Sequence, residues 1–491
     1  MPLRHFFAFL GLTAVLVTSV QAAEAELNNW PIRVSQIDES GSTQSWQGAG
    51  PLLFRQPVGD KVTATGFRPF YMEKRDADGA LTESSFLYPI FIYRADSEVY
   101  RWSVLDIFNV TEPRTAQPTE ANSRGFDFWP FYLSRQTGSP DTSYRAVFPI
   151  AGTVPNRLFN ERISWLLFPL YLRTENHGVT ATSLLWPFVR LVSGDGNSGF
   201  ALWPLFGWRS KQGIYEREFY LWPLIYRDAS RLNEAVPDES YGILPFYARE
   251  STATVKSETY LWPFFGYLDR TAPDLYHESR YFWPLWVQGR GDERYRNRWA
   301  PFYTRSNIKG LDKTWVLWPA FRREQWTDGG LVQTKTQFLY LIYWSLEQRS
   351  ATNPRLAAAH KTHLWPIWSS WDNGAGRRQV QVLSPFEVLF PGNDNTRLLW
   401  TPLFALYRYD RRSAEDYRHS LLFDLVTWRR TAARREFHLG PLLSVKSAEG
   451  ARQITLGNGL FGFRRPAGDA SWQTFWFDFS RETDNSPPPT R

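Results

Sequence analysis

Three carboxylates stand where a charge is costly. Asp106, Asp424 and Asp478 each interrupt an apolar run: Val104-Leu105-Asp106-Ile107-Phe108, Leu421-Leu422-Phe423-Asp424-Leu425-Val426 and Phe475-Trp476-Phe477-Asp478-Phe479. An ionised carboxylate in such a run needs water or a cation beside it. Each is therefore expected to pair with an arginine or to face a solvated lumen or groove. For Asp424 the candidates are Arg408, Arg411, Arg429 and Arg430. Asp127, just ahead of Trp129, is a further acid of this kind. Two acids at a set separation could hydrolyse a glycosidic bond. A one-dimensional pattern fixes no such separation, so no catalytic residue is assigned.

Two other constellations have bland readings. Gly194-Asp195-Gly196-Asn197-Ser198-Gly199 satisfies the dinucleotide fingerprint in letters. It lies between two strand-like segments, with no helix to receive a pyrophosphate, and reads as a turn. His360 and His363 could share a metal, but neither a carboxylate nor a third histidine stands near them. The chain has no cysteine, which removes disulfides and thiolate metal sites. No cofactor and no metal are expected.

Tryptophan gives the strongest functional lead. Trp186, Trp203, Trp222, Trp262, Trp283, Trp318 and Trp365 all precede a proline within Leu/Phe-Trp-Pro-apolar units. Flat aromatic faces stack on sugars, and indole sits well at a membrane interface. A tryptophan repeated at one position of every unit also suits a core. These seven residues, with the three acids, are the candidate ligand-binding set.

What positions them is a repeat. Degenerate copies keep the proline: Tyr88-Pro89, Phe148-Pro149, Phe168-Pro169, Leu244-Pro245, Ala300-Pro301 and Ser384-Pro385. Adjacent prolines of the repeat lie 17 to 22 residues apart, except across 89–130, 319–366 and 402–441, which span about two steps each; nineteen prolines plus five proline-free segments make 24 slots. Short aromatic segments bounded by turn residues favour strands. The pattern predicts an all-β antiparallel meander of about 24 strands, one strand of about ten residues per slot. Proline would mark a crease where each strand begins or bends. A parallel solenoid would give the same period. Segment 109–124 is a polar insertion, and 349–363 holds a small helix-like patch at Leu356-Ala357-Ala358-Ala359.

The chain begins like an exported protein. Arg4 precedes an apolar run from Phe6 to Val20, and Val20-Gln21-Ala22 suits signal cleavage after Ala22. The expected organisation is a signal peptide over 1–22, one β-repeat domain over 23–480 and a disordered tail over 481–491. The charge is +7, with basic residues spread along the chain. Contacts to outer-membrane lipid, glycan or a protein partner fit that spread; nucleic acid does not.

Two architectures compete. One is a closed outer-membrane barrel acting as a pore or structural shell. It suits export, the spacing, and a final aromatic hairpin, Leu460 to Phe479. The other is a soluble periplasmic or surface β-repeat scaffold that binds glycan or protein. Over Glu258 to Arg270, read as one strand, both faces are apolar, against the polar lumen of a wide barrel. A carboxylate hydrolase is the third reading. The expectation is a non-enzymatic envelope protein in the outer membrane, the periplasm or at the cell surface.

Overall fold

The computed structural model describes residues 25–38, 42–390 and 392–478. The segment expected to be a signal peptide, Phe479 and the segment expected to be a tail lie outside them. The described residues form an all-β ladder of 45 short strands, each antiparallel to its neighbours in sequence wherever their register is defined. The meander is therefore observed and the parallel solenoid is not. The first strand, Ala25–Asn29, pairs with Arg33–Ile37, and the last, Gln473–Trp476, with Phe461–Arg465. Among the described residues the ladder has two ends and does not close into a barrel. Two compact units divide it, one from 93–365 and one from 25–92 with 366–478.

Strand number and length depart from expectation for one reason. The Trp-Pro segments are turns. Leu261-Trp262-Pro263-Phe264 joins Val255–Tyr260 to Phe265–Arg270, so what reads as one thirteen-residue strand is two six-residue strands. Each slot holds two strands, not one. The two apolar faces of that supposed strand disappear with it, since its apolar centre is a turn. Among the described residues fifteen X-Pro bonds are cis, including Trp186-Pro187, Trp203-Pro204, Trp222-Pro223, Trp262-Pro263, Trp283-Pro284 and Trp318-Pro319. A cis proline belongs to a tight turn.

The other turns are ordinary hairpins. Asp195 and Gly196 both take positive φ, +47° and +70°, between Val189–Gly194 and Asn197–Leu202. The fingerprint-like glycines are thus a turn, as read. The patch 356–359 is not helical: a loop leads into the strand Ala359–Leu364.

In the unit of 25–92 with 366–478, the prolines at 385 and 402 do not mark separate strands. They belong to one excursion, 383–406, which carries the short helix Asp394–Leu399, capped by the Asn393 side chain. Leu398 and Leu399 pack with Phe54, Ala64 and Met72 in a dry cluster. Arg68, fully buried, donates to the Leu398 carbonyl at 2.6 Å and to that of Pro51 at 2.7 Å. In the unit of 93–365, the one apolar cluster joins Ala146, Val154, Ile163 and Trp165. Elsewhere the buried strand positions are small or polar, such as Ala181, Ser183, Ser257, Glu278, Ser306 and Glu324. The buried acids there are paired: Glu278 with Arg280 and Arg296, both at 3.1 Å, and Glu324 with Lys313 at 2.7 Å and with Arg322.

Candidate functional site: an apolar edge of the sheet

In an antiparallel meander, alternate turns fall on the same edge of the sheet. In the unit of 93–365 successive turns fall on the two edges in strict alternation. One edge collects thirteen apolar turns, from Leu105-Asp106-Ile107 to Leu339-Tyr340-Leu341-Ile342, including every Trp-Pro unit of that span. Asp106 is their only charged residue. The strand residue on either side of each is apolar as well; Tyr220 and Ile225 flank 221–224, and Tyr260 and Phe265 flank 261–264. The opposite edge carries His177-Gly178, Asp195-Gly196, Asp292-Glu293 and Lys309-Gly310, with Leu158-Phe159 as an apolar exception. Charge thus rises along each strand, away from the apolar edge.

This edge is open. Trp222 and Trp318 are 52% and 57% exposed. Trp186, Trp262 and Trp283 are also exposed, and Trp203 and Trp365 are half-buried. None of the seven is in a core. Neighbouring rings lean on each other at an angle: Trp203 and Trp222 lie 6.0 Å apart at 49°, Phe168 and Trp186 5.6 Å apart at 37°.

Two backbone features recur in these turns, the second also at the opposite edge, where Asp292 N–H donates to Leu275 O and Thr271 N–H to Thr254 O. First, Leu167, Leu185, Leu221, Leu261 and Leu317 have φ between +44° and +48° while 52–58% exposed. A left-handed leucine costs roughly 1–2 kcal/mol, a position glycine would fill freely. The opposite edge does use glycine there: Gly178, Gly196, Gly213 and Gly310. Second, the turns hydrogen-bond to one another. Trp186 N–H donates to Pro169 O, Trp222 N–H to Pro204 O, and Trp318 N–H to Pro301 O, at 2.7–2.8 Å. Leu221, Leu244 and Leu261 donate likewise to Leu205, Leu224 and Phe246. Proline has no N–H to leave over.

The three acids do not form a site with these rings. Asp106 is exposed, in a left-handed turn, and its carbonyl accepts from Asn109 at 2.8 Å. Asp478 follows the last strand, half-buried, its N–H donating to Gly459 O at 2.9 Å. Asp424 is buried and accepts from Arg418 Nη2 at 2.9 Å and from the Ser420 hydroxyl. The partner is Arg418, not the four arginines named from sequence. Arg408 pairs with Asp410 at 2.7 Å, and Arg429 lies 3.8 Å from Asp416. Asp127 pairs with Arg157 at 2.5 Å.

Arg418 also holds Glu26, at 2.7 Å, across almost the whole chain length. Burial pushes the Glu26 carboxyl up, but Arg418, His438 and Thr427 outweigh it and hold the group down at about 2. Asn28 completes this cluster, donating to Asp424 O at 2.8 Å and Thr427 Oγ1 at 3.2 Å. His360 and His363 project to opposite faces of one strand, as a three-residue spacing requires; His363 is buried near Trp344. Among the described residues no group of three or more His, Asp or Glu side chains could hold a metal.

Sequence reasoning missed the leucines, because positive φ at leucine has no sequence signature. It missed Arg418 because strand boundaries, not proximity in sequence, decide which arginine faces Asp424. No protein-family model matches the chain, and no curated protein matches it.

Proposed function

We propose that this protein is a non-enzymatic component of the cell envelope that seats the Leu-Trp-Pro edge of its sheet in the apolar layer of a membrane. The observation that carries the reading is an open edge of thirteen apolar turns whose backbone groups bond within the protein. In lipid, backbone N–H groups have no water to bond, so they must be satisfied by the protein. A turn exposed to water has no such need. The exposed left-handed leucines point the same way. In water they have neither a backbone nor a solvation advantage; in lipid their side chains are stabilising.

Seating is distinct from spanning. A six-residue strand such as Tyr215–Tyr220 extends about 20 Å, whereas a membrane-crossing strand needs roughly 9–11 residues. A turn with one flanking residue on each side gives an apolar depth of about 5–10 Å, typical of interfacial insertion. No helix of the described residues is long and apolar enough to cross a membrane.

Flotation of the purified chain with phospholipid vesicles tests this. Membrane seating gives co-flotation that survives high salt, since apolar burial is not screened. The glycan-scaffold reading gives no flotation and retention on an immobilised polysaccharide.

A further inference from the structure

The unit of 25–92 with 366–478 contains a second feature, unrelated to the apolar edge. A cavity of about 390 Å³ opens among the strands around Arg55, Arg378, Arg411 and Arg429. Eight arginines and three aspartates are among the residues around it, and Arg418 is shared with Glu26. Two of those aspartates are spent, Asp410 on Arg408 and Asp424 on Arg418. The third, Asp416, stands only 3.8 Å from Arg429.

Two of the arginines are placed against each other. Arg418 lies directly opposite Arg429 in the ladder, in one row and on one face with Asp410, Gln379 and Trp371. Like charges in facing positions destabilise a sheet. Arg429 is 4% exposed, and among the described residues its Nη1 has no hydrogen-bond partner. A buried guanidinium nitrogen left unbonded costs free energy that a bound oxyanion would recover. The buried Oδ2 of Asp416 is also without a partner and can accept from a hydroxyl. Trp46, Trp371 and Gln379 complete the wall with ring faces and an amide.

We propose that this cavity binds an oxyanion carried on a hydroxylated body, a sugar phosphate or the polyol phosphate of a lipid headgroup. The anion bonds Arg429 Nη1 and the side chain of Arg412, whose backbone N–H donates to the Asp416 carbonyl at 2.9 Å. A ligand hydroxyl donates to Asp416, and the sugar or polyol lies against tryptophan.

Calorimetric titration of the whole chain with glucose 6-phosphate, inorganic phosphate and glucose tests the site. Glucose 6-phosphate should bind, inorganic phosphate more weakly, and glucose not at all. The variant Arg412→Gln, at an exposed side chain beside Asp416, should lose about ten-fold or more, the effect of removing charge-assisted hydrogen bonds. If that variant fails to fold, Arg377→Gln, at a half-buried side chain lining the same cavity, reads the same loss. Flotation with phosphatidylglycerol against phosphatidylcholine vesicles separates the sources, because apolar seating is common to both. Stronger flotation with phosphatidylglycerol that the variant loses assigns the cavity to the lipid-borne phosphate. Equal flotation with both lipids, beside titration that the variant loses, places a soluble ligand in the cavity. Absence of binding by both anions overturns the proposal, as does equal affinity for glucose or an unaffected variant.

Discussion

The N–H of Trp222 donates to the carbonyl oxygen of Pro204 at 2.7 Å, tying one apolar turn to the next. The same bond joins Trp186 to Pro169 and Trp318 to Pro301. Turns at a sheet edge usually leave such groups to water. Here they are spent within the protein, beside tryptophan and leucine side chains that are themselves half exposed.

Removing the leucines should separate folding from membrane seating. Leu221→Gly/Leu261→Gly relieves two left-handed leucines but adds freedom to the unfolded chain, so stability should move by less than about 1 kcal/mol per site. Vesicle partitioning should fall clearly, because two exposed apolar side chains are gone. Denaturant titration and flotation of the same sample read the two effects.

Tryptophan truncation gives a second separation. Trp222 and Trp262 are about half exposed, so Trp→Ala at either should cost well under the ~3–5 kcal/mol of a core aromatic. A loss of that larger size in chemical denaturation would return them to the core. Vesicle affinity should drop in both variants.

The Glu26–Arg418–Asp424 cluster makes stability depend on acid. The Glu26 carboxyl is held at about 2 against an ordinary 4.5. Its contribution is complete above the ordinary value and lost as pH falls from there through 2. On the linkage relation it is on the order of 3 kcal/mol. Glu26→Gln should flatten the stability profile across that window. Arg418→Met leaves two buried carboxylates uncompensated and should cost roughly 3–5 kcal/mol near neutral pH.

The short helix should be held by its dry contacts. Leu399 is fully buried against Phe54 and Met72, so Leu399→Ala should cost roughly 2–5 kcal/mol. Hydrogen exchange should then rise at 394–404, leaving the ladder of 93–365 protected.

The all-β class and the antiparallel order were legible in the chain, as was the Asp195-Gly196 turn. Strand number was not. Apolar runs ordinarily mark strands and polar residues mark turns. At Leu261-Trp262-Pro263-Phe264 the turn is the apolar part, so a search for strands lands on the turns and halves the count. Proline carried the true signal, since it is at home in a turn and misplaced inside a ladder. The partner of Asp424 needed the register that faces Tyr417–Leu421 with Val426–Arg430, which no local pattern encodes. The helix at 394–399 could have been located from Asn393 as its N-cap.

The most direct measurement of the central claim is quenching of tryptophan fluorescence by brominated phospholipids in vesicles. With the apolar edge seated at the interface, emission should shift to the blue on adding vesicles. Lipids brominated near the headgroup end of the acyl chain should quench more than lipids brominated near its tail, as shallow insertion requires. Emission unchanged by vesicles, with no quenching from either lipid, would contradict it.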